Sequence, residues 1–453
     1  MTTIDAPVPA PPQRGGPAWL RSLRLLTRLE ARLPATRFVP RSVRWSIRRA
    51  LVSRPIRRHV ASCSDVTFVG VTGSLGKTTT TQLIASILAV EGPTTTTLAN
   101  QNGVHGVPMT LRRVRPDDRF GVLEVAIDHQ PGEMAWFGTL FRPRVAVLTS
   151  LGDDHVVWYG SREAVAREKR RLLEAVPADG VVVANADDAS VRETVLGLGC
   201  RVVLAGAAAD ADVRLTDVRL DWPHGMEIRL NVHGRELAGR TKLVARHQAS
   251  LVAMAVAVAD ACGVEPRAAL DRAAELEPVP GRMRPAPGPN GSMLLMDDAK
   301  HRPAAALAGI LALGELPVKR RIAVLGELWG AAADAYEPVA AALPGRADLV
   351  VAVGSSALVY ERLLAGTPLE GGVLACPGVA ETAETLQRTL RPGDVALVTG
   401  STWQHLQRVQ LLLDGAEVAC RVRACRLSWR CDVCPALTSG PPPARWIGEP
   451  TRK

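Results

Sequence analysis

The sequence predicts an α/β protein of two sheet-and-helix units, a central one on a parallel sheet and a C-terminal Rossmann-like one. Three observations predict it. Apolar runs of strand length recur through residues 66–184 with helical stretches between them, the order that parallel strands with crossover helices require. A second set of such runs fills residues 292–415, beyond a proline- and glycine-rich stretch at 276–291 that reads as a linker. A glycine-containing turn at 73–76 sits where one strand gives way to a helix.

The length supports more than one unit. At 453 residues the chain exceeds an ordinary domain, which runs to roughly 150 residues. It is 47% apolar and 22% charged, an ordinary balance for a chain that buries a large core. No apolar run reaches the ~18 residues of a membrane span. Arginine interrupts the N-terminal apolar stretches every third or fourth residue, unlike a signal peptide. A secreted mini-protein, an integral membrane protein and a fibrous chain are excluded, and a cytoplasmic protein is expected.

Charge is concentrated at one end. Residues 1–60 hold thirteen arginines against Asp5 and Glu30, a net of +11, which leaves about −1 for the remainder of a chain whose total is +10. The body is neutral, and aromatic interleaving in the basic segment is limited to Trp19, Phe38 and Trp45. No nucleic-acid partner is expected. Residues 1–15, rich in Pro, Thr and Gly, read as disordered. Residues 18–33 read as a helix with Leu20, Leu23, Leu26 and Leu29 on one stripe and Arg21, Arg24, Arg28 and Arg32 on another. Such a helix suits peripheral contact with an anionic membrane through residues 18–58.

The elements then follow in order. VTFVGV at 66–71, GVLEVA at 121–126, RVAVLT at 144–149 and GVVVA at 180–184 read as strands. Residues 211–233 alternate polar and apolar, which predicts an antiparallel flap. A helix is expected at 247–262. In the second unit, LLLM near 294, RIAVLG at 321, LVVAVG at 349 and VALVTG at 395 read as strands. The organisation expected is an Arg-rich segment at 1–60, a central unit at 61–280, a C-terminal unit at 281–415 and a Cys/Arg-rich tail at 416–453.

The strongest chemical signal is VTFVGVTGSLGKTTTT at 66–81. A buried strand, a glycine-containing loop and a helix from Thr78 to Val90 form a P-loop, whose amides and helix N-terminus receive phosphate. Gly73 and Gly76 let the backbone approach the oxygens. Ser74, Thr78 and Thr79 supply hydroxyls, Thr78 for Mg²⁺, and Lys77 supplies a compact cation. ATP and Mg²⁺ are the expected cofactors, and the central unit reads as a P-loop ATPase domain. The general pattern asks for glycine five positions before Gly76, where this chain has Val71.

VTGSLGKTTT resembles the phosphate loop of the Mur ligase family, ATP-dependent amide ligases that join a carboxylate to an amine. The resemblance continues in the family's order. NQNGVHGVPMTL at 100–111 is similar to its asparagine-rich segment, and LEVAIDHQPGEM at 123–134 to the one holding a Mg²⁺-binding Glu, here Glu124. TSLGDDHVVWYGS at 149–161 places His155 near a second metal, and AREKRRLL at 166–173 places Lys169 where the family carries a carbamylated lysine. ANADD at 184–188 resembles the adenine-contacting segment, with Asn185. ARHQAS at 245–250, PGRM with Arg282 and DDAKHRP at 297–303 with Asp298 and His301 complete the series.

The resemblance implies a reaction through an acyl phosphate between small-molecule carboxylate and amine substrates. Lys77, Lys169, His155 and Asp298 are its expected catalytic residues. Gly73, Ser74, Gly76, Lys77, Thr78, Thr79, Asn185, Arg282 and Asp298 are expected to bind ATP. Thr78, Glu124, His155 and carbamylated Lys169 are expected to hold Mg²⁺.

Three features depart from the family pattern. About 65 residues precede the loop, and they are Arg-rich where a sugar-nucleotide domain is usual. Gln248 and Ala245 replace the usual Asn and Gly, and Thr399-Gly400-Ser401-Thr402 stands where the D-alanyl-D-alanine-adding branch has K-G-S-R. That branch remains the most similar. An ATP-binding scaffold or regulatory subunit without ligase activity is the alternative at this point.

Eight cysteines divide into two groups. Cys63, Cys200, Cys262 and Cys376 lie in apolar surroundings and read as reduced core residues. Cys420, Cys425, Cys431 and Cys434 crowd into the tail, where four thiolates suit Zn²⁺ or an iron–sulfur cluster.

Overall fold

The computed structural model describes residues 41–440 apart from 99–100, 129, 300–301, 329–332, 424 and 426–429. The expected disordered start at 1–15, the helix at 18–33 and His301 lie outside these residues.

The chain enters through helix α1 (Arg41–Ala61). Trp45, Val52 and Ile56 bury one side of it in a cluster with Trp136 and Phe137 of the central domain. Trp45 meets Trp136 edge-on at 5.0 Å between ring centroids, and the Trp136 indole donates to the Ser53 hydroxyl at 2.9 Å. The opposite side leaves Val43, Ile47 and Leu51 exposed.

The central sheet has nine strands. In chain order they are β1 (Thr67–Thr72), β2 (Thr94–Thr96), β3 (Phe120–Glu124), β4 (Val145–Leu148), β5 (Val181–Asn185), β6 (Arg201–Gly206), β7 (Val213–Asp221), β8 (Gly225–Val232) and β9 (Arg235–Thr241). Their spatial order is β2-β3-β1-β4-β5-β6-β7-β8-β9. Pairing is parallel from β2 to β7, with Val69 beside Val122 on one side and Val145 on the other. A strand covered on both faces needs apolar residues at consecutive positions, so β1 and β4 read as unbroken runs. The flap, β7 to β9, pairs antiparallel. In β8, Met226, Ile228, Leu230 and Val232 face the core while Glu227 and Arg229 face water, the period of two that made it legible.

Three helices position the site. Helix α2 (Lys77–Leu88) leaves the phosphate loop and buries Leu83, Ile84, Ile87 and Leu88. Helix α3 (Arg162–Leu173) is capped by the Ser161 hydroxyl, which accepts from the Ala164 amide at 3.2 Å. Helix α4 (Ala249–Ala261) packs against α2 with almost every residue buried. Its alternating alanines let it pack closely beside α2, the two helices covering neighbouring strands of the sheet.

The second sheet has β10 (Arg284–Pro287), β11 (Met293–Asp297), β12 (Arg320–Leu325), β13 (Leu349–Val353), β14 (Val373–Cys376) and β15 (Asp394–Thr399). It is ordered β10-β11-β15-β12-β13-β14, parallel except for β10. The stretch at 276–291, expected as linker throughout, therefore contains an edge strand. Pro285 and Pro287 flank Ala286 there, and prolines, lacking an amide hydrogen, are tolerated at a sheet edge.

All eight cysteines are free, with Cys63 and Cys376 buried and Cys200 and Cys262 half-buried. The expected zinc or iron–sulfur site in the tail finds no support among the described residues. Among the described residues no three His, Cys, Asp or Glu side chains come together to hold a metal. The buried guanidinium of Arg408 lies against the tail sulfurs instead, its Nε 3.0 Å from Cys431 Sγ and its Nη2 3.7 Å from Cys420 Sγ.

Candidate active site

The phosphate loop runs from Gly73 to Gly76 between β1 and α2. Gly73 has φ +146° and Gly76 +82°, conformations that favour glycine. A Cβ on Gly73 would lie 2.0 Å from Thr149 Oγ1, so both backbone angle and space demand glycine. The Lys77 ammonium donates to the carbonyls of Gly73 (2.8 Å) and Ser74 (2.9 Å). Burial pulls its pKa below the usual lysine value; Glu124 and Asp154 oppose the shift and Arg282 adds to it.

Around this lysine three other elements converge. Lys169, 1% exposed on α3, donates from Nζ to the Ser74 hydroxyl at 2.8 Å. Burial, aided by the charge of Lys77, lowers its pKa to about 7. Glu124, 3% exposed at the end of β3, accepts from Asn102 Nδ2 at 2.7 Å. His155, at φ +71°, places Nδ1 3.1 Å from the Asp128 carbonyl. Burial, with Lys169, Arg302 and Lys77 adding and Asp154 opposing, lowers its pKa to about 4. The neutral tautomer that donates from Nδ1 keeps its lone pair on Nε2, the arrangement that orients a ligating imidazole.

A cleft opens beside the loop, lined by Gly76, Lys77, Thr78, Thr79, Thr149 and Asn185 on the central side. His247, Gln248, Leu251, Arg282, Met283 and Asp297 line it too. Asn185 is held at both ends of its amide, donating to Thr149 O at 2.9 Å and accepting from the Asp187 amide at 2.9 Å. Gln248 Oε1 accepts from the Ala245 amide at 3.3 Å. The substituted pair of the sequence pattern thus closes a short turn at the cleft wall. Arg302 Nε reaches Asp154 Oδ1 at 3.7 Å, joining the two domains.

Of the predicted nucleotide and metal residues, Gly73 to Thr79 lie on the loop and the start of its helix, Lys169 bonds to Ser74, Glu124 and His155 interact electrostatically with Lys77, and Asn185 and Arg282 line the cleft. Asp298 is buried and is not among the residues lining the cleft, and its charge and that of Arg282 bear on each other. Sequence reasoning missed Asn102, Asp154, Arg302 and Arg430. Asn102 stands in the NQNG segment, a usable signal. Asp153 and Asp154 are adjacent, and only the fold shows that Asp153 turns out to Arg162 while Asp154 turns inward.

Fold and site define a two-domain P-loop nucleotide-binding protein with its cleft at the domain junction. Residues 71–259 match the Mur ligase middle domain, and residues 281–402 match the Mur ligase glutamate ligase domain. The UDP-N-acetylmuramoyl-tripeptide–D-alanyl-D-alanine ligase of Mycobacterium bovis is 31% identical, the match covering 74% of this chain and 70% of that one. The ligase of the same name from Escherichia coli K12 is also 31% identical, over 57% of each chain. MurF from Thermotoga maritima in complex with ADP shares the fold at a TM-score of 0.71 and 23% identity, covering 81% of this chain and 83% of that one. MurF from Acinetobacter baumannii does so at 0.71 and 22%, covering 81% and 80%. The chain belongs to the Mur ligase family, and within it is a MurF-like, ATP-dependent ligase that forms amide bonds.

Proposed function

We propose that the acid substrate is a muramyl-peptide carboxylate and the amine a D-alanyl-D-alanine-type dipeptide, the substrates named for the relatives. The observation that supports activity over a scaffold role is that Lys77 and Lys169 both bond to one phosphate loop and that Glu124 and His155 each lie close enough to Lys77 for its charge and theirs to bear on each other.

The first step joins two anions. The acid's carboxylate oxygen forms a bond to the terminal phosphorus of ATP while the bond to the ADP oxygen breaks. The amine then attacks the acyl carbon, phosphate leaves, and the nitrogen loses a proton. Lys77, pinned by two carbonyls, keeps its charge directed at the loop where the phosphates sit, and so offsets the charge that develops there. Arg282 faces the same cleft from the C-terminal domain. Asn185 and Gln248 shape the wall that receives the base.

The hydroxyl of Thr78 and the carboxylate of Glu124 fit Mg²⁺, a hard cation that prefers oxygen, and His155 would add one nitrogen. Thr78, Glu124 and His155 would hold the ion, and when bound it would neutralise phosphate oxygens. Asn102 orients the Glu124 carboxylate. Lys169 suits carbamylation, because a pKa near 7 leaves a neutral amine able to add carbon dioxide and release a proton. The product carboxylate would replace a cation–cation repulsion with Lys77 by an attraction, and would add an anionic metal ligand.

Peripheral contact with an anionic membrane belongs to the same reading. Val43, Ile47 and Leu51 recur every fourth residue on the exposed side of α1, and Arg54, Arg57 and Arg58 follow them on the exposed surface. Co-sedimentation with phosphatidylglycerol vesicles, lost in high salt and in Ile47→Glu, would support it; no sedimentation would sink it.

The deciding experiment measures ADP release from Mg²⁺-ATP and UDP-muramyl-tripeptide, with and without D-Ala-D-Ala, with products read by mass spectrometry. A dipeptide-dependent product is expected. ATP binding without product from this pair would overturn the substrate assignment, and silence across a panel of acids and amines would favour a scaffold.

A further inference from the structure

The tail lies outside both matched domains, the second of which ends at residue 402, yet it returns to the junction between them. Arg408, 2% exposed, anchors the fold-back by donating from Nη1 to the carbonyls of Val422 (2.8 Å) and Cys420 (3.4 Å). The Cys425 amide donates to Trp403 O at 2.9 Å, and the Cys425 carbonyl lies 3.0 Å from His405 Nε2. Held this way, the tail presents Arg430. Its Nη1 donates to Asp298 Oδ2 at 3.2 Å and its Nε meets Asp432 Oδ2 at 3.3 Å. A Cβ on Gly281 would come within 2.6 Å of the same Nη1, so the side chain lies directly over the domain junction.

Asp298 is 2% exposed, and its Oδ1 finds no hydrogen-bond partner among the described residues. Nη1 of Arg282 is likewise buried and without one. Each charge bears on the other, Asp298 on Arg282 after Asp297 and Glu124, and Arg282 on Asp298 after Arg430. Two buried, half-satisfied ions of opposite sign gain by pairing. Arg282 also lines the nucleotide cleft, so a full pair with Asp298 would draw its guanidinium out of reach of the phosphates. Arg430 has both Nη1 and Nε committed to carboxylates, which suits an orienting part better than direct contact with a ligand.

We propose that Arg430 is a positioning residue of the nucleotide site: by pairing with Asp298 through Oδ2 it neutralises and anchors that carboxylate, weakens its pull on Arg282, and so leaves Arg282 free for nucleotide phosphate. The inference rests on nucleotide binding alone and not on the identity of acid or amine. The tail, foreign to the matched domains, thereby becomes a working part of the site.

The test is calorimetric binding of AMPPNP with Mg²⁺ to the full chain and its variants. Arg430→Ala should weaken binding about tenfold, or about 1.4 kcal/mol. Arg430→Lys should keep most of the affinity, since an ammonium can still hold Oδ2. In the Asp298→Asn background the Arg430→Ala change should alter Kd by less than about twofold, because a neutral amide does not capture Arg282; this is a double-mutant cycle. A loss that persists undiminished in that background would make Arg430 a structural residue or a direct ligand and overturn the proposal. So would an Arg430→Ala chain that binds like wild type. If Arg430→Ala does not fold, Arg430→Gln in both backgrounds carries the same comparison. A wild-type chain that binds no AMPPNP would instead overturn the nucleotide reading itself, and this inference with it.

Discussion

Lys169 Nζ and Ser74 Oγ lie 2.8 Å apart, a hydrogen bond that ties helix α3 to the phosphate loop across 95 residues of sequence. Ser74 Oγ also accepts from the Gly152 amide at 2.9 Å, while the Ser74 carbonyl accepts from Lys77. One serine therefore gathers both lysines and the segment that carries His155.

Lys169 should be destabilising as a buried cation. Its folded pKa, about 7, is below the unfolded value near 10.5, so the folded state binds fewer protons between those values and stability rises with pH across that window. The penalty is fully present below about pH 7. Lys169→Met, in carbon dioxide-free buffer, should raise the melting temperature more at pH 6 than at pH 10. Equal gains at both would contradict the shift. The same variant should lose ligase activity, and wild-type activity should rise on adding bicarbonate.

Lys77→Ala removes a cation pinned at the loop by two carbonyls. A loss of about a hundredfold or more in kcat is expected, the scale seen when a positioned electrostatic group is deleted. Steady-state ADP release checks it, and a melting temperature close to wild type shows that the fold survives.

Asn102→Ala leaves Glu124 in place but frees its carboxylate to rotate. Removal of an outer partner of this kind costs about 10–100-fold in metal affinity. The Mg²⁺ concentration for half-maximal ADP release should rise by that factor while ADP affinity measured without metal stays unchanged. An unaltered Mg²⁺ dependence would separate Glu124 from the metal.

The tail should carry no stoichiometric zinc or iron after anaerobic purification, and Cys434→Ser should leave the melting temperature within a few degrees of wild type. Arg408→Ala should be far more damaging, because it strands the carbonyls of Cys420 and Val422. A loss of about 2–3 kcal/mol is expected from denaturant unfolding.

Local pattern carried much of this protein. Strands β1, β3, β4 and β5 were legible because strands covered on both faces must be apolar without a break, and the flap because a half-exposed strand alternates. The phosphate loop was legible because its glycines and Lys77 are adjacent in sequence. Strand β10 was hidden by its prolines, which signal a linker unless a neighbouring strand is there to pair. The tail cysteines read as metal ligands on spacing alone, which says nothing of the Arg408 guanidinium that lies beside Cys431 and Cys420.

What the sequence by itself determined is the two-unit α/β plan, the phosphate loop and the family, all of which rest on residues close together or in a fixed order. Tertiary structure alone decided that Lys169 faces inward among outward arginines, that Asp154 rather than Asp153 joins the site, and that Arg430 returns to Asp298. The physical reason is the same in each case: burial and charge pairing depend on which distant elements meet, and spacing along the chain does not encode that.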